Sequence, residues 1–327
     1  MRVALFALGG TISVSGGPGR DGGVPRLTGA EIATAVPGLA EAGMELDVRD
    51  VQAVPSASLT FAQVLDVVAA ASSAVRNGAL GVVVTQGTDT LEETAFLADL
   101  VWPHEAPLVF TGAMRKPTLA GADGPANVLA AVRVAASDRA RSLGALVAVN
   151  DEIHAPRWVR KAHSTSTATF VSPNAGPVGH VVEGRVRIMA VPPRHEPLPL
   201  PAEPFAAARV ALHCVTFDDD AALLGTAADT CDGLVVAGFG VGHVPSALAP
   251  VLGTLAERMP VVLTSRTGSG SVLRNAYSAA GSETDLQRRG LINGGMLDPY
   301  KARVLLRLLL ATGAGSEEMA AAFVRHG

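Results

Sequence analysis

Apolar and polar positions alternate along this chain in short and long blocks. Short runs rich in valine and alanine occupy 2–8, 45–52, 80–86, 106–112 and 143–150, each the length of a buried strand. Longer, polar-punctuated segments with apolar residues at helical spacing separate them, at 28–36, 60–77, 89–101 and 125–138. Such alternation predicts an α/β fold, a doubly wound, mostly parallel sheet covered by helices on both faces. The stretch 178–190, VGHVVEGRVRIMA, breaks the rhythm: two alternating runs flank Glu183 and Gly184, which predicts a hairpin.

Next comes VPPRHEPLPLPAEP at 191–204, with six prolines in fourteen positions. Proline has no N–H to donate and fixes φ, so this stretch is excluded from sheet and helix interiors and stiffens into a spacer. The alternation then resumes, with strands near 208–215, 232–237 and 260–264 and helices near 245–257 and 300–312. The organisation expected is a larger N-terminal catalytic domain (1–190), a proline-rich linker (191–207) and a smaller C-terminal α/β domain (208–327).

Composition narrows the function classes. A chain of 327 residues has room for two domains, and a formal net charge of −4 gives no basic surface for nucleic acid or acidic membranes. No apolar run approaches the roughly 20 residues of a membrane span. The opening MRVALFALGG reads as a core strand rather than a leader, because glycine breaks it too early. Cys214 and Cys231 lack metal-ligand spacing and are expected to be reduced core thiols of a cytoplasmic protein. No cofactor is implied.

In doubly wound sheets ligands collect at the carboxyl ends of strands, near the reversal of strand order. The first run ends in LGGTIS, with Thr11 behind two glycines; the third, VVVTQGTDTLEET, ends at 82–94 in hydroxyls and an acid. Thr90 and Glu93 have the spacing of a capping box. That leaves Thr88 and Asp89 unexplained one turn upstream. The fourth run ends in FTGAMRKP and the fifth in NDEIH, followed by Arg157 and Lys161. Hydroxyls and a carboxylate, with no phosphate loop, point to a hydroxyl nucleophile and a small polar substrate. The chain has only three lysines, Lys116, Lys161 and Lys301. Lys161 fits a surface salt bridge, or a base that takes the proton of Thr88 while Asp89 orients it; arginine stays charged and could not do this.

Other features have plainer readings. GFGVG at 238–242 lacks the acidic residue that a dinucleotide loop needs. His154 and His163 read as surface or hydrogen-bonding histidines. Arg115 and Asp123 shape loops, with Asp123 capping a helix whose first turn contains Pro125, and the acids at 218–220 start a helix.

LGGTIS at 8–13, TQGTDTLEETAF at 85–96, TGAMRKPTLAGADGPANVLAAV at 111–132, VNDEIHAPRWVRKAHSTS at 149–166 and LDPYKARVLL at 297–306 together resemble the bacterial L-asparaginase/glutaminase family, from the first strand to the last helices. The resemblance implies a homo-oligomer, commonly a homotetramer, whose sites are completed by a neighbouring subunit. It implies hydrolysis of L-asparagine to L-aspartate and ammonia, with some activity on L-glutamine. By the same resemblance Thr11 is the nucleophile, and Thr88, Lys161 and Asp89 form a second hydroxyl–lysine–acid set. Asp89 also holds the α-ammonium, Ser56 grips the α-carboxylate beside Gly87, and the Ala113 carbonyl faces the leaving nitrogen. Glu283, in GSETD, is the glutamate supplied by the neighbour. An acyl-threonine and direct attack by an activated water are both compatible with this set.

Three departures stand out. The family's lid after the nucleophile carries a tyrosine, whereas VSGGPGRDGGVPRL (14–27) has none; the two tyrosines are Tyr277 and Tyr300. Tyr277 is therefore a candidate partner for the site beside Glu283. Ala57 stands where a glutamine is common, and Val241 replaces an asparagine, which predicts a looser α-amino pocket; Ala57→Gln with Val241→Asn should tighten asparagine binding. Two alternatives follow from these departures, a non-catalytic amino-acid sensor or an amidase for a modified asparagine.

Overall fold

A computed structural model describes residues 2–13, 27–39, 43–201 and 208–327. The expected lid falls outside them except for Leu27, as does 202–207 of the expected linker. The chain forms two compact units, Met1–Leu198 and Pro199–Gly327.

In the first unit five strands form the parallel part of the sheet: β1 (Arg2–Ala7), β2 (Glu45–Asp50, at the edge), β3 (Val82–Thr85), β4 (Leu108–Thr111) and β5 (Ala145–Val149). Their spatial order, β5-β4-β3-β1-β2, is that of a doubly wound sheet which reverses between β1 and β3. After β5, a tight turn with Asn150 and Asp151 at φ 52° and 59° sends the chain back as β6 (Glu152–His154). Then β7 (Arg160–Lys161) and β8 (Phe170–Val171) form a separate two-stranded ribbon. The antiparallel pair β9 (Gly179–Val182) and β10 (Arg185–Ile188) completes an eight-stranded sheet, with Glu183 and Gly184 in the expected hairpin turn at positive φ.

Four helices cover the central strands: α1 (Gly29–Thr34), α2 (Phe61–Arg76), α3 (Leu91–Val101) and α4 (Gly124–Ala135). Because strand side chains alternate, Val3, Leu5, Val83, Val109 and Leu146 share one core with α1 and α4. α2 and α3 pack on the other face. Thr28 and Thr60 form complete capping boxes with Glu31 and Gln63, while Pro125 sits in the first turn of α4, where its missing N–H costs nothing.

The second unit is a parallel sheet of β11 (Val210–Cys214), β12 (Gly233–Gly238), β13 (Val261–Ser265) and β14 (Ile292–Asn293), in chain order. Helices α5 (Leu224–Thr230), α6 (Leu248–Ala256) and α7 (Glu283–Arg288) connect successive strands and share one core. This follows from right-handed crossovers that never change direction. The other face is covered by α8 (Pro299–Ala311), against β11 to β13, and α9 (Ser316–His326) contacts β14.

Several local expectations are corrected. Thr90 stands at the N-cap of α3 without a side-chain cap, because its hydroxyl donates to the Ser56 carbonyl at 3.0 Å. Asp123 occupies the N-cap of α4, but its carboxylate turns to the backbone N–H groups of Met114 and Arg115. The acids at 218–220 precede α5 without starting it; Asp219 folds onto the N–H groups of Thr216 and Ala221 and onto His213. Cys214 and Cys231 are free thiols but not core residues, since Cys214 is exposed at the end of β11. Of the two readings of His154, surface or hydrogen-bonding, the second holds: the ring is fully buried, with Nδ1 2.9 Å from Ser172 Oγ.

Candidate active site

The loops that leave β1 and β3 meet through glycine. Gly10, at φ +89°, packs so closely that an added Cβ would lie 2.2 Å from the Gly87 nitrogen. On the next side a Cβ at Gly87 would lie 2.6 Å from Ser56 Oγ. Only residues without side chains let three backbone segments approach like this. Thr11 and Thr88, each one residue beyond these glycines, are therefore held at the sheet's switch point. Thr11 opens a short 3₁₀ turn, Thr11–Ser13, closed by Ser13 Oγ donating to the Gly10 carbonyl at 2.8 Å.

Thr88, Asp89 and Lys161 converge. Lys161 Nζ donates to Thr88 Oγ1 at 2.9 Å and to Asp89 Oδ1 at 2.7 Å. The β7–β8 ribbon delivers this lysine, pairing Lys161 with Phe170. Thr88 is buried, and the Lys161 side chain keeps 17% of its surface in solvent, against 67% for Asp89. Ser56, also buried, accepts from the Asp89 N–H at 3.2 Å. Ala113 belongs to the loop after β4, where a Cβ on Gly112 would touch the Gln86 carbonyl at 2.6 Å and the Thr88 methyl at 3.1 Å.

Glu283 and Tyr277 lie together in the second unit. Glu283 is fully buried, and its Oε1 accepts from the N–H groups of Ala276 and Tyr277, each at 2.8 Å. Burial alone would raise its carboxyl, but these donors, with His243 Nε2 at 3.2 Å from Oε2, outweigh it and hold the group below the usual glutamate range. Tyr277 is 54% exposed, and its ring stands edge-on to His243.

Residues that sequence reasoning passed over support the first-unit loops. Buried Thr94 donates to Gln86 Oε1 at 3.0 Å, and buried Asn127 donates to the Gly112 carbonyl at 2.9 Å. A signal existed for Asn127: it interrupts the apolar stripe of α4 at core spacing. Among the described residues no group of three or more histidine, cysteine, aspartate or glutamate side chains could hold a metal ion.

A hydroxyl, a lysine and a carboxylate stand in hydrogen-bonded series at the switch point of a doubly wound sheet, an arrangement that can activate a hydroxyl. Residues 2–194 match the family model for the asparaginase N-terminal domain, and residues 209–323 that for the glutaminase/asparaginase C-terminal domain. The chain belongs to the asparaginase family. It is 33% identical over 329 residues to the probable L-asparaginase of Deinococcus radiodurans, covering 99% of this chain and 97% of that one. To the L-asparaginase of Bacillus licheniformis it is 31% identical, covering 95% and 96%. The crystal structure of the probable cytoplasmic L-asparaginase from Campylobacter jejuni superposes with a TM-score of 0.88 at 28% identity, covering 99% of each chain.

Proposed function

We propose that this protein hydrolyses the side-chain amide of L-asparagine to L-aspartate and ammonia, with L-glutamine as a secondary substrate. The observation that carries this reading is Lys161 Nζ bridging Thr88 Oγ1 and Asp89 Oδ1. A lysine held between a buried hydroxyl and an acid serves proton transfer, and simple ligand binding has no need of it.

In this reading Thr11 Oγ1 attacks the amide carbon, and the proton it loses as the C–O bond forms ends on the departing nitrogen. The C–N bond then breaks, and the nitrogen leaves as ammonia after gaining a proton, with its N–H groups facing the Ala113 carbonyl. The product is an ester on Thr11. Water attacks that ester, the bond to Thr11 Oγ1 breaks, and the threonine recovers its proton. Lys161 exchanges a proton with Thr88 during the second step, and Asp89 fixes the lysine while pairing with the α-ammonium. Ser56 and Gly87 hold the α-carboxylate. Splitting amide hydrolysis through an ester divides one high barrier into two lower ones.

Glu283 and Tyr277 complete the site of a neighbouring copy in a homo-oligomer, and the protein works in the cytoplasm. The relative from Campylobacter jejuni is described as cytoplasmic, and no helix among the described residues is long and apolar enough to cross a membrane. The reading is tested by ammonia release from L-asparagine and L-glutamine, with Thr11→Ala alongside. Turnover that disappears in a folded variant is expected; a folded wild type that releases no ammonia from either amide overturns it.

A further inference from the structure

Asn127 lies in the first turn of α4, buried, and uses both ends of its amide. One Nδ2 hydrogen goes to the Gly112 carbonyl at 2.9 Å and the other to Asp123 Oδ2 at 3.2 Å. Its Oδ1 accepts from the Asn150 N–H at 2.8 Å, in the turn between β5 and β6. Asp123 in turn accepts from the N–H groups of Met114 and Arg115, at 2.9 Å each. Ala113 is thus clamped on both sides: the carbonyl before it by Asn127, the N–H groups after it by Asp123, and the two clamps by their own bond. A Cβ on Gly112 would meet the Gln86 carbonyl at 2.6 Å, so the loop has no slack toward β3.

We propose that Asn127 is a positioning residue that sets the height of the Ala113 carbonyl against the leaving amide nitrogen. The inference rests on the amidohydrolase reading above. An amide leaving group offers N–H to that carbonyl; an ester leaving group offers none. Loosening the clamp therefore penalises amide cleavage and spares ester cleavage, whereas a residue that merely keeps the fold affects both alike.

The experiment compares kcat/KM for L-asparagine with kcat/KM for the β-methyl ester of L-aspartate, which yields L-aspartate and methanol. The variants are Asn127→Ala and Asn127→Asp. Asn127→Asp keeps the acceptor for Asn150 and the side-chain volume, so it reports even where Asn127→Ala does not fold. An ionised aspartate at this position only accepts, so it offers no N–H to the Gly112 carbonyl. The expected result is a loss of about tenfold or more on the amide with less than about threefold on the ester, since a reacting contact misplaced by an ångström can cost on the order of 100-fold. Equal losses on both substrates, or undiminished amide turnover in a folded variant, overturn the assignment. A wild type that cleaves the ester but not asparagine identifies failure of the underlying reading instead.

Discussion

Two lysines paired with aspartates show how differently the two units use the same chemistry. Lys161 lies 2.7 Å from Asp89 and also reaches the Thr88 hydroxyl, with part of its side chain in solvent. Lys301 lies 2.8 Å from Asp298, is fully buried, and belongs to the first turn of α8, which Asp298 caps through the N–H groups of Tyr300 and Lys301. Topology separates them. In the first unit strand order reverses between β1 and β3, so neighbouring connections leave on opposite faces and a crevice opens at the strand ends. In the second unit β11 to β14 follow chain order, and no reversal opens a gap. There the polar groups close on one another: Lys301 on Asp298, Glu283 on Ala276 and Tyr277. An ion pair takes its meaning from the sheet around it.

The largest effect that could break this contrast comes from removing each ammonium in turn. Lys161→Met should lower kcat for L-asparagine by about 10³-fold, within the range of lost acid–base groups, with little change in unfolding midpoint. Lys301→Met should do the reverse, costing about 3 kcal/mol of stability by leaving the partly buried Asp298 carboxylate without its cation, while the remaining folded protein keeps its activity. Steady-state kinetics and denaturant unfolding on both variants check the pair. Equal activity losses would remove the distinction.

Next comes the contact that brings the two threonines together. Gly10→Ala adds a methyl 2.2 Å from the Gly87 nitrogen, at a φ of +89° that alanine adopts only with strain. Backbone must move, and with it the spacing of Thr11 and Thr88. The expected loss in kcat/KM is on the order of 100-fold, with about 2 kcal/mol of destabilisation. Gly43→Ala is the control: it also has positive φ, +65°, but its Cβ meets nothing within 4 Å. It should lose some stability and no activity.

How much of this was legible follows from the length scale of each feature. β1, β3, β4 and β5 are fully or largely apolar runs bounded by turns, so they stand out in the sequence, as do α2, α3, α4 and α8, whereas the edge strand β2, ELDVRD, has only Leu46 and Val48 as apolar residues. β6, β7, β8 and β14 have two or three residues, and α5 and α7 have seven and six, too short for a period to show. Most side-chain partners across long separations were illegible in the residues alone. The Thr90 hydroxyl goes to Ser56, 34 positions away, instead of to its own helix. Asp123 turns from its helix to the loop nine residues before it because two N–H groups there need an acceptor. Lys161 was singled out by the scarcity of lysine and by family resemblance, although its partners lie 72 and 73 residues away.

A smaller effect separates two titratable groups of the first unit. Burial, with His180 nearby, lowers His154 to about 4. Its unfolded value lies near 6.5, so its stabilising contribution is complete above that pH and is lost as pH falls toward 4. Burial raises Asp99 to about 6, against the Ala145 N–H and the charges of Arg194 and Arg157. Its contribution is present below the unfolded value near 3.9 and is lost as pH rises toward 6. Between pH 4 and 6 the two slopes oppose each other. Asp99→Asn should unmask the histidine, steepening the loss of stability from pH 6.5 to 4 by up to about 3 kcal/mol. Denaturant midpoints across that range check it, and a profile parallel to wild type would sink the idea.

The smallest effect tests the same contrast between chemistry and folding inside one unit, with two threonines at helix starts. Thr60 completes a capping box with Gln63 at the start of α2. Thr60→Ala should cost about 1 kcal/mol of stability and leave KM unchanged. Thr90 holds the same position before α3, yet its hydroxyl donates to the Ser56 carbonyl, and the Ser56 hydroxyl accepts from Asp89 N–H. Thr90→Val keeps the shape and removes the donor. One net hydrogen bond of about 1 kcal/mol then corresponds to about a fivefold rise in KM for L-asparagine, with kcat held. A rise in KM for Thr90→Val but not Thr60→Ala would mean that the TDT cluster serves substrate through Ser56. Equal behaviour of the two variants would return Thr90 to the ordinary duty of starting a helix.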